Sequence, residues 1–273
     1  MNNFFKRTIT GALFVVVLIG SILWHPVSFA LLFSLIIVLA LVEFYNLVRT
    51  KDIYPQKYVG ILFGLVIFLI FFQSARNLLP SGLFILLLPA TAGIFILELF
   101  RNKPNPFHNV AFTILGVLYI AVPFAFLTYL VYPDYMTMKY NPEILIGYFV
   151  LIWTSDTGAY LTGITFGKHP FFKRISPKKS WEGFIGGTIL TIAVALLVAQ
   201  FSHEINIYQW VVIALIIAIF GVLGDLVESM FKRSLDVKDS GNFLPGHGGI
   251  LDRFDSLIIS SPFVFTFIHF FTN

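Results

Sequence analysis

In the stretch Gly221-Val-Leu-Gly-Asp-Leu-Val-Glu-Ser-Met-Phe-Lys232, the residues Glu228, Ser229 and Lys232 follow Asp225 by three, four and seven positions, so a helix carries all four on one face. The stretch Gly248-Gly-Ile-Leu-Asp-Arg-Phe-Asp-Ser256 does the same with Asp252, Asp255 and Ser256. Carboxylate and hydroxyl oxygens without an imidazole or thiolate cluster favour a hard cation such as Mg²⁺ and disfavour zinc. Between the two acidic faces, Pro245-Gly-His-Gly-Gly249 can turn the amides of His247, Gly248 and Gly249 into an anion nest. Lys232, Arg233, Lys238 and Arg253 add countercharge. Carboxylates that hold a metal, set beside cations, are the equipment of phosphoryl or nucleotidyl transfer, where charge develops on a phosphorus group. A solvated loop accounts for a polar run, but not for this density of opposite charges.

A second polar stretch runs Gly167-Lys-His-Pro-Phe-Phe-Lys-Arg-Ile-Ser-Pro-Lys-Lys-Ser-Trp-Glu-Gly183. Ser176-Pro177 and Ser180 stand where a helix should start, with Glu182 in its first turn. A helix N-terminus offers unpaired amides and a positive dipole end, so with Lys178 and Lys179 alongside it suits a triphosphate or a lipid phosphate. The competing reading is that these lysines only fix membrane orientation. Asp156, in Trp153-Thr-Ser-Asp-Thr-Gly-Ala-Tyr160, lies within an apolar run, where an ionised carboxylate costs roughly 2.5 to 3.5 kcal/mol. Either it is protonated or hydrogen-bonded between helices with help from Thr154, Ser155 and Thr157, or it faces a wet cavity and binds or supports a cation.

The elements that position these groups are membrane helices. The chain of 273 residues is 58% hydrophobic, 17% aromatic and only 12% charged, with a mean hydropathy of +0.87. So few charges cannot cover a water-soluble domain. Apolar runs near the ~20 residues needed to cross a bilayer predict nine spans, at Thr8–Trp24, Ser28–Val48, Tyr58–Gln73, Ser81–Leu99, Asn109–Tyr132, Glu143–Ile164, Trp181–Gln200, Tyr208–Ser229 and Gly249–Phe271. The third is the shortest, and without it the downstream topology inverts. With nine, 16 of the 18 basic residues fall on one side and only Arg76 and Lys139 on the other. By the positive-inside rule the N-terminus and both long polar loops are then cytoplasmic. The net charge of +4 obeys topology or attracts anionic headgroups and does not point to nucleic acid.

The fold class is thus all-α, a polytopic helical membrane protein read as a single domain, with N-terminal helices over residues 1–142 and catalytic helices and loops over residues 143–273. There is no cysteine, hence no disulfide framework and no thiolate ligand or nucleophile. Lys6-Arg7 before an apolar run reads as an uncleaved signal anchor. Of the 14 acidic residues nine follow Val150, which places the chemistry in the C-terminal half. Glu43 and Glu98, near the ends of their spans, read as interfacial caps that reach water. Pro123 should kink the fifth span. His25, His108, His169, His203 and His269 stand singly, without metal-ligand spacing.

From Ser229 to Asp255 the chain resembles the phosphatidate cytidylyltransferases, also called CDP-diacylglycerol synthases. The Ser-x-x-Lys-Arg opening, Lys238-Asp239, the Pro-x-His-Gly-Gly core and the closing Asp252-Arg-Phe-Asp255 are all present. Ser176-Pro-Lys-Lys-Ser-Trp-Glu-Gly183 is similar to a further segment of that family. The resemblance implies that CTP and phosphatidate give CDP-diacylglycerol and pyrophosphate, with Mg²⁺ required. It also implies a homodimer of multi-span protomers, each with a funnel-shaped cavity open to the cytoplasm and to lipid. Asp225 and Asp252 would hold a two-cation centre of one divalent and one monovalent ion, such as K⁺, with Lys232 as a catalytic partner. Glu228, Asp255 and Asp156 are further metal candidates. Ser176, Lys178, Lys179, Ser229, Arg233, Lys238, Asp239, His247, Gly248, Gly249 and Arg253 would hold the substrates. A bacterial inner membrane, with the active site facing the cytoplasm, is the expected location.

Two other functions fit some of these features. A CTP-dependent lipid-alcohol kinase would use similar metals but transfer the γ-phosphoryl group. An ion-coupled transporter would use Asp156 and the acidic helix faces, against which stand the absence of inverted repeats and of paired broken helices.

Overall fold

The computed structural model describes residues 3–133, 139–241, 243 and 248–271. Its helices are α1 (Asn3–Trp24), α2 (Pro26–Val48), α3 (Lys57–Ala75), α4 (Leu87–Leu99), α5 (Pro106–Gly116), α6 (Val122–Leu130), α7 (Glu143–Phe166), α8 (Trp181–Phe201), α9 (Ile207–Ile216), α10 (Val222–Ser234) and α11 (Leu251–Phe271). A short 3₁₀ turn, Ser81–Leu86, leads into α4, and two strands, β1 (Pro170–Phe172) and β2 (Ser176–Ser180), form an antiparallel pair before α8. Among the described residues eight helical stretches are long and apolar enough to cross a membrane, and a shorter apolar helix, Ile9–Trp24, precedes them. The eight lie at the second to ninth expected spans, including the short third one, which is a helix of 19 residues. The protein is an all-α polytopic membrane protein.

Two spans contain a π-helical turn. Val117–Ala121 joins α5 to α6 and Ile217–Gly221 joins α9 to α10. The first precedes Pro123, which lacks an amide hydrogen and would clash with the turn before it; the wider turn is where the expected distortion occurs. The second lies immediately before Asp225 and resets the face that the next helix presents.

The chain divides into two compact units. The first comprises residues up to Lys139 together with Asp239–Arg253; the second comprises Tyr140–Lys238 and the chain from Phe254 onward. Ser240, Gly248 and Gly249, at the ends of the glycine-rich loop, belong to the first unit. The core of the first unit is aromatic: Phe29, Phe33, Phe44, Phe68 and Phe124 are almost fully buried. Leu13, Val16, Leu31 and Leu62 are exposed, as suits lipid-facing positions. In the second unit α7 and α8 approach so closely that a Cβ on Gly187 would stand 2.9 Å from the Ala159 amide nitrogen, the use membrane helices make of small residues. Tyr148 of α7 and Ser260 of α11 share a buried hydrogen bond of 2.6 Å.

The segment Ser176–Ser180 departs from expectation. It is a strand paired with Pro170–Phe172, and the helix begins only at Trp181. Pro177 cannot donate a backbone hydrogen bond and holds its predecessor extended, so the helix waits for Ser180, whose Oγ accepts from Gly183 N at 3.1 Å as an N-cap. Glu43 and Glu98 also depart: both are buried, not dipped into water.

Candidate active site

In the second unit, α10, α11, α7 and β2 bring charged groups together. Asp225, in the first turn of α10, receives Lys179 Nζ on Oδ2 at 2.6 Å and Ser229 Oγ on Oδ1 at 3.2 Å. The latter is the four-residue spacing read from the sequence. Asp255, on α11, lies within the electrostatic field of Asp225, Asp156 and Lys179, and its Oδ1 accepts from Ser256 N at 2.7 Å. The approach of α10 to α11 depends on Gly224, where a Cβ would stand 2.4 Å from the Asp255 carbonyl oxygen. Asp156 is exposed although it sits mid-helix in an apolar span, and it lies close enough to Asp255 to act on it electrostatically.

Lys178 and Lys179 do not act as a pair. Consecutive strand residues point to opposite faces, so Lys179 reaches Asp225 while Lys178 is turned away and exposed. Ser176, two positions from Lys178, shares its side of the strand. Glu182 anchors the base of the hairpin: Oε2 accepts from the amides of Lys168 and His169 at 3.1 and 3.2 Å, and Oε1 meets His169 Nδ1 at 2.5 Å.

On the other stripe of α10, Glu228 is almost fully buried and its Oε2 holds Lys232 Nζ at 3.0 Å. The helix ends where Val237 N bonds Lys232 O and Asp236 takes a left-handed φ of 54°, a turn that closes helix C-termini. Arg233 in the last turn and Lys238 beyond it are exposed, with Arg233 reaching the Val237 carbonyl at 3.4 Å.

In the first unit, Asp252 and Glu43 hold the two ends of the glycine-rich loop. Asp252 Oδ2 accepts from Ser240 N at 3.1 Å and Gly249 N at 2.9 Å. Gly248 has φ of +82°, and a Cβ there would stand 2.7 Å from the same oxygen, so glycine is needed on both counts. Gly249, expected to offer its amide to an anion, gives it to Asp252. Glu43 Oε2 accepts from Leu251 N at 3.1 Å and Ser240 Oγ at 3.4 Å. Asp239 and Arg253 flank this clamp and are exposed. His247 lies outside the described residues.

The donor set in the second unit suits a hard cation: Asp225, Asp255 and Asp156 offer only oxygen and face the Lys179 ammonium with an excess of negative charge. Among the described residues no three His, Asp or Glu side chains close into metal-holding geometry; a lysine ammonium stands against Asp225 instead. Carboxylates and an ammonium in one place can bind a cation and a phosphate together, as transfer at phosphorus requires. The residue that the sequence reading underrated is Glu43. Its signal was an isolated carboxylate in an apolar helix, which by default marks function.

Residues 5–271 match the model of the cytidylyltransferase family. The chain is 34% identical over 258 residues to a phosphatidate cytidylyltransferase of Staphylococcus haemolyticus, covering 94% of this chain and 95% of the relative. It is 34% identical over 276 residues to one of Bacillus subtilis, covering 98% of each. It is 38% identical over 212 residues to one of Staphylococcus aureus, covering 70% of this chain and 78% of the relative.

Proposed function

The chain belongs to the cytidylyltransferase family, and from that premise we propose that it transfers the cytidylyl group of CTP to phosphatidate, releasing pyrophosphate and forming CDP-diacylglycerol in a bacterial plasma membrane. A phosphatidate oxygen attacks the α-phosphorus of CTP, and the bond from that phosphorus to the oxygen bridging it to the β-phosphorus breaks. The electron pair leaves with pyrophosphate. The nucleophile is already an anion, so no strong general base is required.

The observation that carries this reading is the convergence of Asp225, Asp255, Asp156 and Lys179 within the second unit. Asp225 and Asp252 are assigned to Mg²⁺ and to a second, monovalent cation such as K⁺, with Asp255 and Asp156 supporting Asp225. When bound, Mg²⁺ offsets charge on the phosphate oxygens and polarises the breaking bond. Lys179 leaves Asp225 for a phosphate oxygen when CTP enters. Ser229 holds Asp225 in its rotamer, and Glu228 holds the Lys232 ammonium forward. Ser176, Lys178, Arg233, Lys238, Asp239, Arg253 and the amides of His247 and Gly248 complete the binding of the two substrates. The N-terminus and the polar loops face the cytoplasm, where CTP is found, and the chain works as a homodimer.

The test uses purified protein with Mg²⁺, phosphatidate and CTP labelled either in cytidine or at the γ-phosphate. Cytidine label in extracted lipid is the expected result. Terminal phosphate in a lipid alcohol would instead identify the kinase, and label in neither product would reopen the transporter; the relatives favour neither alternative.

A further inference from the structure

The first unit contains a basic cavity that none of the residues assigned to catalysis lines. It has a volume of ≈ 540 Å³ and is bordered by Arg49, Lys57, Arg101 and Lys103, with no Asp or Glu among its lining residues. Tyr54 stands at its centre of charge, with the Arg49 guanidinium 5.5 Å and the Lys103 ammonium 5.3 Å from its ring. Both cations line the same recess, where an entering anion meets no carboxylate in the lining.

The floor beneath these cations is rigid. Tyr54 N donates to Asn109 Oδ1 at 2.6 Å and Tyr54 O accepts from Arg101 at 2.9 Å. The buried Glu98 joins Gln56, Asn109 and Arg101 at 2.7 Å each. A buried, hydrogen-bonded carboxylate network of this kind fixes a loop in one conformation. Lys57 is held by Asn46 Oδ1 at 3.0 Å. Arg101 and Lys57 are therefore preorganised, and the rigid Tyr54 between their segments gives Arg49 and Lys103 a fixed ring to lie against, which lowers the entropy lost when an anion binds.

Lys103 also borders a second cavity, of ≈ 470 Å³, whose other lining residues are mainly apolar, among them Phe95, Leu99, Phe107 and Val110. A basic recess and an apolar one that share Lys103 in their linings offer a phospholipid a place for its headgroup phosphate and one for an acyl chain. Soluble phosphates would leave the apolar recess unused. Basic pockets between membrane helices are known to take anionic headgroups.

We propose that these two neighbouring cavities bind an acidic glycerophospholipid, its phosphate at the basic recess that Arg49 and Lys103 line and its acyl chain against Phe95 and Phe107, at a site lined by none of the residues assigned to cytidylyl transfer. Native mass spectrometry of the full chain in detergent tests it, with added phosphatidylglycerol, phosphatidylcholine of the same chains, or inorganic phosphate. Phosphatidylglycerol should be retained, and the Arg49→Gln/Lys103→Gln variant should bind it roughly thirtyfold more weakly, as two surface cations are worth. Phosphatidylcholine binding should not change between the two proteins, and Arg49→Lys/Lys103→Arg should restore phosphatidylglycerol binding. Equal retention by wild type and the glutamine variant would overturn the proposal and leave these cations as determinants of orientation. Displacement of the lipid by inorganic phosphate would equally overturn it, in favour of a soluble anion. Cytidylyl transfer by the variants, measured in parallel, reports on folding, since neither residue belongs to the catalytic machinery.

Discussion

Glu43 Oε2 accepts a hydrogen bond from the backbone amide of Leu251, 208 residues further along the chain, at 3.1 Å. Leu251 opens α11, so this carboxylate caps a helix other than its own and places a negative charge at that helix's positive end. Its second oxygen, Oε1, is buried without a hydrogen-bond partner among the described residues, and a Cβ on Gly241 would stand 2.7 Å from it. Glu43 thus holds Ser240 and Leu251, while Asp252 holds Ser240 and Gly249.

Glu43→Ala should leave the Leu251 amide and the Ser240 hydroxyl without this acceptor, at about 1–3 kcal/mol. The cost falls on the loop, so amide exchange at Ser240, Gly249 and Leu251 should accelerate while α2 and α3 keep their protection. If the loop binds CTP, KM for CTP rises and KM for phosphatidate holds. Glu43→Gln, which keeps one acceptor, should lie between the two. A general folding defect would instead lower the amount of active enzyme with both KM values unchanged.

The Lys179–Asp225 pair makes a sharper prediction. Asp225→Ala should abolish cytidylyl transfer, and Lys179→Ala should lower kcat/KM by about 10² to 10³, the range for losing a group that stabilises developing charge. Lys178→Ala should cost less than tenfold, because the strand turns it away from Asp225. Steady-state rates with labelled CTP, normalised to folded protein, decide this.

The spans were legible because a bilayer demands long apolar helices, and Tyr58–Gln73 declared itself despite its short length. The spacing of Asp225 to Ser229 and of Glu228 to Lys232 was legible for a similar reason: three- and four-residue contacts are written in local sequence. The role of Glu43 was not, since a partner 208 residues away leaves no periodicity to read. Nor was the hairpin, whose strands of three and five residues carry too little alternation to be seen. That omission hid the separation of Lys178 from Lys179, which a helix N-terminus would have kept on one anion. The family resemblance supplied the reaction; spacing alone reached only a metal-and-phosphate site.

Gly224 predicts the tolerance of the α10–α11 contact. Gly224→Ala would put a methyl group 2.4 Å from the Asp255 carbonyl oxygen, so the helices must separate. Overpacking of this kind costs about 1–3 kcal/mol, and the separation draws Asp225 away from Asp255. Thermal unfolding in detergent should shift down by several degrees, with activity falling further than stability explains. Gly82→Ala, where a Cβ meets nothing within 4 Å, is the matched control and should leave both unchanged.

The proposed Mg²⁺ dependence rests on the excess of carboxylates over ammonium around Asp255. Chelation with EDTA should stop transfer, and added Mg²⁺ should restore it, while Zn²⁺ should serve poorly with a donor set of oxygen alone. Asp255→Asn removes one negative charge without removing bulk, so more Mg²⁺ is needed for half-maximal activity, by roughly tenfold if the charge contributes on the order of 1.4 kcal/mol to cation binding. Titration of activity with Mg²⁺ for wild type and Asp255→Asn measures the shift directly. An unchanged midpoint with a lowered maximum would place Asp255 outside the cation's field and make its contact with Asp225 a matter of helix packing alone.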